Sequence, residues 1–349
     1  MRRPLSFTAP IAALPMIPKV HPRDALFEAG EAADVLPVCD HYAGVEVRMR
    51  KSLELQAEMG PVFDITLDCE DGAPVGGERE HAALIAELVD SPQNCFGRVG
   101  ARVVTVDHPA FGDVVQTIVG RAGARLAYVM LPKVRSLAEL QRGIDAVDAA
   151  ATAASLPQPL PVHALVETHG ALHEVHALAA HPRIQSLSFG LMDFVSAHRG
   201  AIPAAGMSVK GQFEHPLVVR AKLEIAAACH AHGKTPSHCV VTEFKHPSAL
   251  QEAATKACRQ FGYTRMWSIH PAQIKPIVDA FTPTTAEVDT AIDIIMAAQA
   301  AQWAPIRHND TLHDRASFRY FWHVLERAHR TSYAGGPQLP AQIRAAFFD

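Results

Sequence analysis

Three groups of acids stand where a short apolar run gives way to polar chain. Asp68, Glu70 and Asp71 close FDITLDCEDGA, Glu167 closes VHALVETHGA, and Asp193 follows the run SLSFG in SFGLMDF. Taken singly, each acid reads equally well as the N-cap of a following helix. Glu167 and Asp193, however, are about one β/α unit apart, which sets them on adjacent strand tips facing one mouth. Two carboxylates so placed make a hard-cation site. Mg²⁺ takes one or two protein carboxylates and fills its octahedron with substrate oxygens and water. An all-oxygen set without thiolate or imidazole favours it over Zn²⁺.

Two cations belong to the same pattern. Arg102 lies inside GARVVTV, where a charge is costly unless paired. Aimed into the mouth it would bind a carboxylate or stabilise an oxyanion; the other reading is a salt bridge to one of the acids. Arg98 takes its place if the strand register slips by a turn. Lys133 ends LPKV, and two roles are open to it: a Schiff base with a keto acid, or, favoured here, a charge partner of the acids that also meets substrate. His270, in SIHPAQI, is read as a capping or packing residue.

Eight short runs can carry these side chains: 35–39 (VLPVC), 63–69, 98–106, 126–133, 162–167, 186–190, 238–242 and 265–270. Between them lie segments of helical period such as VEVRMRKSLELQAEM and SLAELQRGIDAVDAAATAA. PLVVRAKLEIAAACHAHG and PSALQEAATKACRQFG each close with a Gly at the position of a helix C-cap. Strand–helix alternation repeated eight times in about 250 residues predicts a (β/α)8 TIM barrel. A doubly wound sheet is the second choice, and its G-x-G-x-x-G signature is missing. The expected organisation is an N-terminal extension over residues 1–30, a catalytic barrel over 31–282 and a C-terminal helical extension over 283–349. That extension opens with a polar-started helix, TPTTAEVDTAIDIIMAAQAAQ, and turns His- and aromatic-rich, suited to a lid or an oligomer arm.

The chain has 349 residues, 48% of them hydrophobic and 19% charged, enough apolar material to exclude disorder as the main state. Its net charge of −4, with no long basic run, argues against nucleic acid as a partner. No stretch reaches the roughly 18 apolar residues of a membrane span, and prolines interrupt the start, MRRPLSFTAPIAALPMIP. A cytoplasmic protein is expected. The six cysteines have no C-x-x-C spacing and read as free thiols.

Together the segments LDCEDGA, GARV, MLPKV, VETHGAL, SFGLMDF, SIHPAQI and AFTPTTAEV resemble the citrate lyase β-subunit and malyl-CoA lyase branch of the HpcH/HpaI aldolase superfamily, over roughly residues 35–302. The resemblance implies a (β/α)8 barrel that cleaves or forms the carbon–carbon bond of a 3-hydroxyacyl thioester with Mg²⁺. It further implies that Glu167 and Asp193 are the metal ligands, that Glu70 and Asp71 lie near the metal and its waters, and that Arg102 holds the substrate oxygen. Asp68 and Lys133 are expected at the substrate. A CoA thioester and a homo-oligomer, trimer or hexamer, are the partners it implies.

The pattern departs from the family in three places. The opening R-S-x-L-F-x-P-G is replaced by VLPVCDHYAG, the V/I-N after the arginine by Val103-Val104, and a G-K pair near the last strand by Arg265-Met266-Trp267. A lid aspartate from a neighbouring subunit has its candidates in Asp310 and Asp314. Three rival functions follow: a CoA-independent metal-dependent aldolase of 2-oxo acids, a Schiff-base aldolase on Lys133, and a non-catalytic subunit.

Overall fold

The structure is a computed structural model and describes residues 20–28, 35–243 and 247–349. Most of the expected N-terminal extension, residues 1–19 with 29 and 30, lies outside the described residues. A short helix, α1 (Pro22–Leu26), precedes the regular alternation β1 (Cys39–Ala43), α2 (Glu46–Met59), β2 (Phe63–Asp68), α3 (Glu78–Asp90), β3 (Val99–Arg102), α4 (Phe111–Ala122), β4 (Val129–Leu131) and α5 (Leu137–Ala153). It continues with β5 (Val162–Val166), the short helices α6 (His169–His173) and α7 (Val175–Ala180), β6 (Ile184–Phe189), α8 (Leu191–Ala197), α9 (Pro216–Ala231), β7 (Thr235–His238), α10 (Pro247–Gln260), β8 (Arg265–Ser268) and α11 (Pro271–Phe281). The eight strands pair in sequence order, and β1 pairs with β8 in parallel to close the barrel. This is the (β/α)8 architecture that the alternation predicts.

Local chemistry explains the alternation. Strand β2 is buried along its whole length while its residues alternate: Phe63, Ile65 and Leu67 join the main core, and Thr66 and Asp64 meet Asp40 and Arg265 in a buried polar layer. Helix α4 buries Val114, Val115, Ile118, Val119 and Ala122, spaced to cover one face. Helix α9 stops at Gly233, whose φ of +65° a side chain would strain. There the Lys234 and Gly233 amides donate to the Cys229 and His230 carbonyls, as a Schellman cap requires.

Two strands lie elsewhere than hydrophobicity suggested. β1 occupies Cys39–Ala43 instead of 35–39, and β7 occupies Thr235–His238 instead of 238–242. Both carry polar residues (CDHYA and TPSH), because the lower half of this barrel is lined by charge instead of branched apolar side chains. Arg265 reaches Asp40 at 3.0 Å and Asp64 at 2.5 Å, all three fully buried. Thr66 and Tyr128 donate to Asp40, and Tyr128 stacks on His163. Above this layer Tyr42, Met130, Leu165 and Trp267 make an apolar one.

The chain after the barrel forms α12 (Thr285–Ala300), a two-stranded hairpin of β9 (Ile306–His308) and β10 (Thr311–His313), α13 (Arg315–Arg330) and α14 (Ala341–Phe347). The hairpin was not expected. Its turn is Asn309-Asp310, both at positive φ, the backbone a two-residue primed turn demands. Helices α12, α13, α14 and α1 share a second core around Ile294, Trp322, Leu325, Phe347 and Leu26, and Arg23 of α1 is clamped by Glu326 of α13 at 3.0 and 2.8 Å. Among the described residues no helix is long and apolar enough to cross a membrane, and all six cysteines are free.

Candidate active site

The acids and bases singled out from sequence meet at the C-terminal mouth of the barrel. Asp68 ends β2 and Arg102 ends β3. Register pairs these two residues directly, and the guanidinium grips the carboxylate with two hydrogen bonds, Nε to Oδ1 at 2.7 Å and Nη2 to Oδ2 at 2.5 Å. The same two oxygens accept the Glu70 and Gly72 amides. Asp68 therefore organises the 68–72 loop and fixes the direction of Arg102. The third guanidinium nitrogen, Nη1, lies 3.2 Å from Glu70. Arg98 turns away from the mouth, toward Asp64 at 2.7 Å.

Lys133 stands at φ +50°, an uncommon conformation for a residue with a side chain. This turn sends its two ends to different partners. The backbone amide donates to Glu167 Oε1 at 2.7 Å, while Nζ donates to Glu70 at 2.6 Å and Asp71 at 2.8 Å and approaches Asp193 at 3.6 Å. Burial weighs against the lysine's charge, but the hydrogen bonds it donates to Asp71 and Glu70 hold it well above the usual range. Burial pushes Glu70 up against the pull of Arg102 and Lys133; in Asp71 burial is outweighed by the Lys133 hydrogen bond, and the carboxyl falls.

Glu167 differs from its neighbours. It is buried, and among the described residues no lysine, arginine or histidine forms an ion pair with it. Burial, and next the charge of Asp193, push its carboxyl up to about 8. Five carboxylates thus share two cations, Arg102 and Lys133, and Glu167, as buried as Asp68, is left without an ion-pair partner among the described residues. No cluster of three or more ligating His, Cys, Asp or Glu side chains is present among the described residues. Glu167 and Asp193 could together hold a cation such as Mg²⁺, which takes its remaining oxygens from substrate and water.

Gly190, the residue that links β6 to α8, packs against Glu167. A Cβ built there would fall 2.1 Å from Glu167 Oε2. Gly190→Ala is expected to push this carboxylate out of line and to weaken Mg²⁺ affinity by about 10-fold or more, measured by titrating Mg²⁺ into activity and into thermal shift. An unchanged Mg²⁺ midpoint would show that the cradle has no such role.

Beside the acids lies a cavity of about 360 Å³ that Thr105, Asp107, Arg135 and Ser196 also line. Sequence reading passed over Asp107 and Arg135, which pair with each other on the rim; the signal was their place just beyond β3 and β4. His270 caps α11, its Nδ1 accepting the Ala272 amide. Asp310 pairs with Arg307 in the hairpin turn, and Asp314 caps α13, accepting the Ala316 and Ser317 amides. Within this chain both aspartates have local partners.

An eight-stranded parallel barrel carries its chemistry at this mouth, and the comparisons with known proteins say which kind. The model of the HpcH/HpaI aldolase/citrate lyase family matches residues 60–271, and the chain belongs to that family. By class it is a carbon–carbon lyase of the citrate lyase β-subunit type. It is similar to the L-malyl-CoA/β-methylmalyl-CoA lyase of Cereibacter sphaeroides, 26% identical over 253 residues, covering 68% of this chain and 77% of that protein. A crystal structure of a citrate lyase from Burkholderia xenovorans is 53% identical, covers 94% of this chain and 100% of that one, and superposes with a TM-score of 0.81. CitE of Mycobacterium tuberculosis, solved with magnesium, acetoacetate and coenzyme A, shares the fold at 19% identity, covering 84% of this chain and 98% of its own, with a TM-score of 0.64.

Proposed function

We propose that this protein is a Mg²⁺-dependent lyase that cleaves a 3-hydroxyacyl-CoA of the malyl, citramalyl or citryl type into acetyl-CoA and a 2-oxo acid. The observation that carries the reading is the buried, cation-free Glu167 beside Asp193, facing a guanidinium already oriented by Asp68. The names of the relatives support the thioester, and the magnesium complexes of CitE support the metal.

Glu167 and Asp193 would hold the ion. Bound there, Mg²⁺ would supply Lewis acidity toward the hydroxyl and carboxylate oxygens of the acid part. Arg102 is aligned in advance, because Asp68 engages two of its N–H groups and fixes the guanidinium plane. The rest of the fork therefore meets the developing alkoxide without reorganising. Asp68 acts through Arg102 as a positioning residue, its oxygens being engaged. Glu70 lies between Arg102 and Lys133, where a carboxyl held up by burial is suited to exchange a proton with the substrate hydroxyl, and Asp71 shares Lys133 with it. The lysine's ammonium, held by three carboxylates, is a poor nucleophile, which speaks against a Schiff base. The electron pair of the broken bond leaves on the thioester enolate.

The test is release of acetyl-CoA and a 2-oxo acid from malyl-CoA, citramalyl-CoA and citryl-CoA, with 4-hydroxy-2-oxo acids as carrier-free comparisons. Turnover of one thioester with Mg²⁺ and none with EDTA is expected. Turnover confined to the carrier-free acids would overturn the thioester reading and leave a 2-oxo acid aldolase.

A further inference from the structure

A second cavity lies at the opposite end of the barrel. Its floor is formed where the chain enters the first strands, at Pro37, Val62 and Arg98; its roof is the C-terminal extension, with His329, Arg330 and Arg344. It encloses about 620 Å³, the size range of small-molecule sites. A smaller cavity of about 340 Å³ adjoins it, sharing Val35 and Arg330 and adding Lys234 and Arg327. Neither is lined by a single carboxylate among the described residues. In a chain of net charge −4, such a carboxylate-free basic lining does not follow from composition.

Asp64 and Asp349 already meet two of the three lining arginines, and Arg330 is the one left without an ion pair among the described residues. Asp64 serves Arg98 and Arg265, Glu326 serves Arg23 and His323, and Asp349 stands 3.5 Å from Arg344. Arg330 has no ion pair among the described residues, and its buried Nε finds no acceptor; the same holds for Nε of Arg327 and Nη2 of Arg98. Burial outweighs the nearby charge of Glu326 and, with the charges of Arg327 and Arg23, lowers Arg330 to about 10, so it remains charged at neutral pH. A half-buried guanidinium without an ion pair can take an anion from the cavity it lines.

We propose that this cavity binds a phosphorylated small molecule with at least two phosphate groups, the nucleotide class, at a site separate from the catalytic mouth. Planar guanidinium forks take phosphate oxygens two at a time. Arg330 and Arg344, which come from different helices of the extension, face the volume together with Arg98, which enters β3 of the barrel. A polyphosphate would therefore bridge the barrel to its C-terminal extension.

Calorimetric titration of the full chain with pyrophosphate and with ATP, in EDTA so that no metal recruits phosphate to the mouth, tests this. Saturable binding is expected, weakened about 10-fold by Arg330→Gln and again by Arg344→Gln, and unchanged by Glu167→Gln. Arg344 is half exposed, so its variant keeps the test open if Arg330→Gln fails to fold. The proposal is overturned by no binding, or by binding indifferent to both arginines.

Discussion

Glu167→Gln is expected to abolish Mg²⁺-dependent turnover, by about 10³-fold or more, while leaving the protein as stable as before or more so. The two effects have one cause. Glu167 is a buried carboxylate beside a second carboxylate, and among the described residues its one hydrogen bond comes from the Lys133 backbone amide. Glutamine keeps an oxygen for that amide and fills the same volume. It mimics the neutral carboxyl that burial and Asp193 already favour, so the metal-free protein loses neither a charge pair nor packing. The lost charge is also what would hold the cation. With Mg²⁺ at about 100 times its dissociation constant, linkage adds about 2.7 kcal/mol to the wild type and nothing to the variant. Melting curves with Mg²⁺ and with EDTA, alongside kcat, read both effects. A variant that turns over normally, or still melts higher with Mg²⁺, would remove Glu167 from the metal site.

The parts of this molecule that read easily from sequence are those where one local rule acts alone. Strand β2 alternates Phe63, Ile65 and Leu67 with polar residues and runs into a cluster of acids, so both its place and its position at the mouth were legible, and Glu167 and Asp193 could be set at neighbouring units of the mouth from the alternation alone. Strands β1 and β7 were misplaced because their inward residues answer to distant partners. Asp40 belongs in a barrel interior only because Arg265, far along the chain, is there to meet it. The left-handed turn at Lys133 has no local signature either, since neither glycine nor asparagine marks it; the backbone bond to Glu167 and the Nζ bonds to Glu70 and Asp71 hold it there. The basic cavity was invisible for the same reason. Arg98, Arg330 and Arg344 are unremarkable singly, and only the fold of the extension against the barrel floor brings them to one volume.

Arg265→Met should cost about 3–5 kcal/mol of stability, a fall in melting temperature of roughly 4–7 °C for a chain of this size. Arg265 is fully buried, and the structure shows how its charge is accommodated. Its guanidinium donates to Asp64 and to the Pro37 carbonyl and pairs with Asp40, so β8 is tied to both β1 and β2 below the mouth. Met266 faces the outer core, while Trp267 returns to the interior and stacks on Tyr42 at 4.3 Å. Tyr42 in turn lies under Arg102, so the change reaches the site only through that stack. Without Arg265, Asp64 keeps Arg98, but Asp40 is left to the hydroxyls of Thr66 and Tyr128. Burial already pushes the Asp40 carboxyl up, and its protonation caps the loss. Adding Asp40→Asn to Arg265→Met should then recover part of the stability, a coupling of about 1–3 kcal/mol in a double-mutant cycle. Additive losses in the two variants, or a single Arg265→Met that melts like the wild type, would mean that the buried charges hold the barrel together far less than their geometry requires.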